Sequence, residues 1–98
     1  MKAHDIIMAA GLLVGGDRKA AYGDVVSGLT RIATYWNAHL QATSNATPDP
    51  LTAEDVAKFM VLLKLARSET GPLRMDNYLD MAGWSAIAGE AASGLEAP

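Results

Sequence analysis

Apolar residues recur at intervals of three and four along four stretches of this chain, and glycine, proline and small polar residues separate the stretches. Residues 2–14 place Ala3, Ile6, Ile7, Ala10, Leu13 and Val14 on one helical face, and Gly15-Gly16 is expected to end the helix. Asp5 falls in its first turn, where the helix dipole favours a carboxylate. Residues 25–41 repeat the spacing with Val25, Val26, Leu29, Ile32, Ala33, Trp36 and Leu40, and Trp36 is expected as a core anchor. The segment ATSNATPDPL at 42–51 carries two prolines and reads as a loop.

Thr52 is an N-cap residue for a third helix over 53–69, with Asp55 at the capping-box position. From Phe59 to Leu65 this helix is apolar nearly all round, apart from Lys64. A helix of that kind is covered on most sides, by neighbours within the fold or by another subunit. Gly71-Pro72 stops it. A fourth helix over 76–92 directs Leu79, Ala82, Gly83, Ala86, Ile87 and Ala91 at its neighbours, and the small residues among them allow another helix to come close. No strand-like alternation and no internal repeat occur. The pattern predicts an all-α, single-domain bundle of about four mostly antiparallel helices.

Composition narrows what such a bundle can do. A 98-residue chain that is half hydrophobic can pack a core, but it buries only about 60–65% of its unfolded surface. Oligomerisation would enlarge that core, and a homo-oligomer is expected. The net charge of −3 argues against a double-stranded nucleic-acid binder, which needs a basic stripe. It does not bar a few local cations from holding one small anion. The absence of cysteine rules out disulfides and thiolate metal sites. The run IIMAAGLLVGG reads as the first helix and not as a secretory signal, because His4 and Asp5 interrupt its start and the run is short. No stretch approaches 18 uninterrupted apolar residues, so no membrane span is expected. The expected location is the cytoplasm.

The charged residues carry the candidate chemistry. Val56, Met60, Leu63, Lys64 and Arg67 form one stripe, so the two cations extend the inward face of the third helix. Asp76 and Asp80, four apart, open the fourth. In an antiparallel hairpin these four charges are expected to meet beside a turn bearing Arg74. Two readings stay open. The cations complement a helix C-terminus while Asp76 caps the next helix, all within a structural ion-pair network, or the four side chains form a ligand site. The loop GGDRKAAYGD at 15–24 combines glycines, Arg18, Lys19 and a helix start at Asp24. Those are the materials of an anion site, and equally of a polar turn. His39, beside Tyr35, reads as a packed or solvated residue, and no Ser-His-Asp or Cys-His set can be assembled.

The order Arg18-x-x-x-Tyr22-Gly23-Asp24, Arg31-Ile32-Ala33 with Trp36, Asp55-Val56, Met60-Val-Leu-Leu-Lys64-Leu-Ala-Arg67 and Asp76-Asn77-Tyr78-x-Asp80-x-Ala82-Gly83-Trp84 resembles a family of small phage and prophage helical proteins. The likeness runs from about residue 6 to 92 and is most specific in the last segment, where Trp84 replaces the more usual tyrosine. More distantly the chain is similar to nucleotide-modification-associated helical proteins of phages and to MazG-like nucleotide pyrophosphohydrolases. That resemblance implies Asp76 and Asp80 as metal or ribose contacts, with magnesium as the cofactor. It implies Lys64, Arg67 and Arg18 as phosphate contacts, and Tyr22 or Trp36 as a stacking surface. The Glu-Glu-x-x-Glu motif of the pyrophosphohydrolases is absent. The expected function is therefore binding of a nucleotide or nucleotide-derived phosphorylated ligand, by sequestration and without turnover, in a bacterial host's cytoplasm if phage-encoded. Magnesium-dependent pyrophosphohydrolysis and a purely structural interaction module are the alternatives.

Overall fold

The computed structural model describes residues 1–17 and 24–94. Four α-helices make up most of it: α1 (Ala3–Leu12), α2 (Val25–Ala42), α3 (Ala53–Ser68) and α4 (Met75–Ser93). The described residues contain no strand. Each helix lies within two residues of the span its periodicity predicts.

Local chemistry sets most of the ends. The Asp24 carboxylate accepts from the backbone N–H of Ser27 (2.9 Å), which caps α2. At α3, Thr52 Oγ1 accepts from the N–H of Asp55 (3.3 Å), and the Asp55 carboxylate accepts from the N–H of Thr52 (2.9 Å), completing a capping box. Gly71, at φ +74°, turns the chain between α3 and α4 in a conformation that glycine adopts without strain. α4 starts at Met75 with Arg74 as its N-cap, so Asp76 stands in the first turn and not at the cap. Asn37 makes a two-way clamp that periodicity does not reveal. Its side-chain amide donates to the Leu51 carbonyl (3.0 Å) and accepts from the Leu51 N–H (2.9 Å), fastening the proline-bearing loop to α2.

Helices α3 and α4 share the most extensive contact. Lys64, late in α3, meets Asp80, early in α4, while Val56 and Ala57 cluster with Ile87 and Ala88 at the other end. The two therefore form the expected antiparallel hairpin. α2 lays Leu29 and Ala33 on the same cluster, and α1 packs against α4.

Two expectations about the helices need correction. Gly15-Gly16 does not end the first helix, because the winding widens into a π-helical turn over Leu13–Asp17. This turn brings Val14 against α4 at Gly83, where an added Cβ would stand 3.2 Å from Val14 Cγ2. Trp36 is not a core anchor. It is 38% exposed and stacks on Phe59, with ring centroids 6.0 Å apart, because it lies on the flank of α2 and no layer covers it. Helix α3 packs against α4 and, less extensively, α2, and leaves Leu62 exposed.

Candidate functional site

The π-helical turn, the start of α2 and the middle of α4 border an open cavity of about 720 Å³. Leu13, Val14, Leu29, Leu79, Trp84 and Ile87 give it apolar walls. Three carboxylates, Asp24, Asp80 and Glu90, interrupt those walls. Each follows from local structure. Asp24 is fixed by its capping bond to α2. Asp80, Gly83, Ile87 and Glu90 are spaced three, four and three apart, so α4 presents them along one side. Glycine at 83 lets Val14 close one wall without a clash.

Lys64 reaches Asp80 from α3, with Nζ to Oδ2 at 2.9 Å. Both side chains are sheltered, at 15% and 14% exposure. Burying either charge alone would be costly, and the pair answers that cost by mutual neutralisation. Because Asp80 also lines the cavity, the one sheltered cation of α3 stands behind the cavity wall.

The other expected partners are placed differently. Asp76 pairs with Arg74 at 3.5 Å, and both side chains are more than half exposed. Arg67 is exposed and forms no salt bridge among the described residues. The four charges thus do not converge: Lys64 and Asp80 come together inside, while Asp76 and Arg67 stay in water. The reason is position along the axis: Arg67 shares its side of α3 with Val56, eleven residues earlier, but stands in the last turn, beyond the sheltered pair. Arg18 and Tyr22 lie outside the described residues, in a segment that connects two cavity-lining stretches ending at Gly15 and beginning at Asp24.

The donor set does not suit a metal ion held by protein alone. Among the described residues no three His, Asp or Glu side chains are grouped to hold one, and Asp76 and Asp80 each already face a cation. Magnesium that arrives with phosphate oxygens makes smaller demands, since one or two carboxylates then suffice.

Sequence reasoning missed Glu90 as a wall residue and saw Asp24 only as a cap. The spacing Asp80-Gly83-Ile87-Glu90 was the available signal for the first. It also missed Asn77, a polar residue only 6% exposed, one turn before Asp80 on α4.

The family model described as "Domain of unknown function (DUF6378)" matches residues 5–92. This chain belongs to that family. The DUF6378 chain is also 34% identical over 82 residues to the Gene 55 protein of Mycobacterium phage L5. The alignment covers 84% of this chain and 49% of the phage protein, so the chain spans about half the length of that relative. The match ties the DUF6378 chain to a phage protein, in line with the phage family it resembles. No solved structure matches it. No helix among the described residues is long and apolar enough to cross a membrane.

Proposed function

We propose that this DUF6378 chain binds a nucleotide or nucleotide-derived phosphorylated ligand in the cavity between the π-helical turn, α2 and α4, and acts by holding it, without turnover. The observation that supports this reading is the cavity itself. About 720 Å³ bounded by apolar side chains, with a few polar groups at set points, is the size and character of a small-molecule site. Trp84 and the aliphatic walls would take a base. Asp24 and Glu90 would accept hydrogen bonds from amino or hydroxyl groups. Lys64 would turn from Asp80 towards a phosphate, with Arg18, Arg67 and Tyr22 as the further contacts that the family resemblance implies. Trp36, on the outer flank of α2, is removed from this task. Any magnesium would enter with the phosphates, with Asp80 as its protein oxygen and Asp76 one turn away. The distant likeness to MazG-like proteins is compatible with such a ligand, but the chain lacks their acidic motif.

A thermal-shift screen against mono-, di- and triphosphates and cyclic dinucleotides, with and without magnesium, tests the proposal. A ligand at a hundred times its dissociation constant adds about 2.7 kcal/mol of stability. Lys64→Ala and Glu90→Gln should each lose most of that response, whereas Lys58→Ala, on the exposed side of α3, should keep it. If no nucleotide shifts the midpoint, the binding reading falls. Pyrophosphate released from a triphosphate in the presence of magnesium would instead make the site catalytic.

A further inference from the structure

We propose that the cavity selects guanine among the bases, with the Glu90 carboxylate reading the edge of the ring. This deepens the nucleotide reading of the cavity and rests on it.

The lining points to the base and not to the phosphates. Asp24, Asp80 and Glu90 interrupt the apolar walls, and no lysine or arginine stands among the described residues that line the cavity. Such a lining repels phosphate and favours the part of a ligand that donates hydrogen bonds. Within a nucleotide that part is the base, whose flat ring Trp84 and the aliphatic walls also suit.

The three carboxylates are not equivalent. Asp24 is committed to the start of α2, where it accepts from the Ser27 N–H at 2.9 Å. Asp80 is committed to Lys64, also at 2.9 Å. Glu90 accepts from the Ser93 hydroxyl only through its main-chain carbonyl, at 2.7 Å, and its carboxylate pairs with no described residue. Both of its oxygens are therefore open to a ligand. Its place is nonetheless set, because α4 carries it three residues beyond the buried Ile87 and it is exposed, so a ligand reaches it without displacing another side chain.

A carboxylate presents two acceptors side by side in one plane, and its best partner presents two donors at the same spacing. Guanine has such a pair in N1–H and the 2-amino group. Adenine and cytosine set one amino group beside a ring nitrogen that is itself an acceptor. Uracil and thymine set a single N–H between two carbonyls. Each of these turns a lone pair towards a carboxylate oxygen, whereas guanine forms two parallel charge-assisted bonds. A bidentate pair of this kind discriminates between bases by about tenfold to a hundredfold.

Calorimetric titration of the intact chain with guanosine, inosine, adenosine, cytidine and uridine diphosphates holds the phosphate charge constant and varies the base. Guanosine diphosphate should bind about tenfold to a hundredfold more tightly than the adenosine, cytidine and uridine compounds. Inosine diphosphate keeps N1–H and lacks the 2-amino group, so it should fall between them. Glu90→Gln exchanges one acceptor for a donor and should abolish the guanine preference, with helical circular dichroism unchanged because Glu90 is exposed. Equal affinity for all five, or preference for another base, overturns the assignment and leaves nucleotide binding standing. A guanine preference that survives Glu90→Gln overturns the role of Glu90. Should that variant not fold, guanosine against inosine in the natural chain decides alone, and equal affinity for the two overturns the two-donor contact. If none of the five binds, the nucleotide reading fails and the choice of guanine fails with it.

Discussion

Lys64 is the residue whose position decides most here. It stands in an apolar run, and the chain tolerates it only because Asp80 reaches it from the next helix. Removing Asp80 takes the carboxylate from Lys64 in a sheltered place, and removing Lys64 takes the ammonium from Asp80. Lys64→Ala and Asp80→Ala are each expected to cost about 1–3 kcal/mol in urea denaturation. Replacing both together with Met and Leu should cost less than the two single changes summed, since neither charge is then left behind. Additive losses would mean that the two groups do not depend on each other. This pairing was legible from the i, i+4 spacings on two helices joined by a short turn. The fate of Arg67 was not. Periodicity directs it inward with Val56, eleven residues earlier, and only its place in the last turn of α3 leaves it in water. Glu90 could be inferred only once Gly83 is known to face the cavity.

Among the elements, helix boundaries were readable because their chemistry is local. Ser, Thr and Asp caps act within three residues, and the periodicity of three and four marks what lies between them. Thr52→Ala removes the hydroxyl that accepts from the Asp55 N–H and donates to the Asp55 carboxylate, and should lower stability by about 1 kcal/mol. Thr52→Ser should restore most of it, which chemical denaturation of the three proteins would show. The π-helical turn was not readable. Two glycines usually stop a helix. Here the backbone continues instead, because the widened turn lets Val14 settle into the space that Gly83 leaves open. That fit is tertiary, between segments nearly seventy residues apart, and no local pattern encodes it. The outer side of α3 was half readable. Its all-round apolarity demanded cover, but the sequence did not say from where, and the folded chain covers it with α4 and α2 while leaving Leu62 exposed.

For the molecule as a whole, the clamp between Asn37 and Leu51 has a bearing on how the chain withstands cutting. Every residue from Gln41 to Pro50 is exposed, so a protease would enter there first. The strands of chain on either side would nonetheless remain fastened, by the side-chain amide gripping one peptide unit and by the indole resting on the phenyl ring. A nick near Thr47 should therefore yield two fragments on a denaturing gel but one particle on a native one. The nicked form should still unfold in a single step, at a lower temperature because its halves can now diffuse apart. The connecting loop is then a tether that secures topology, while the amide grip, one residue before the next cap, does the fastening.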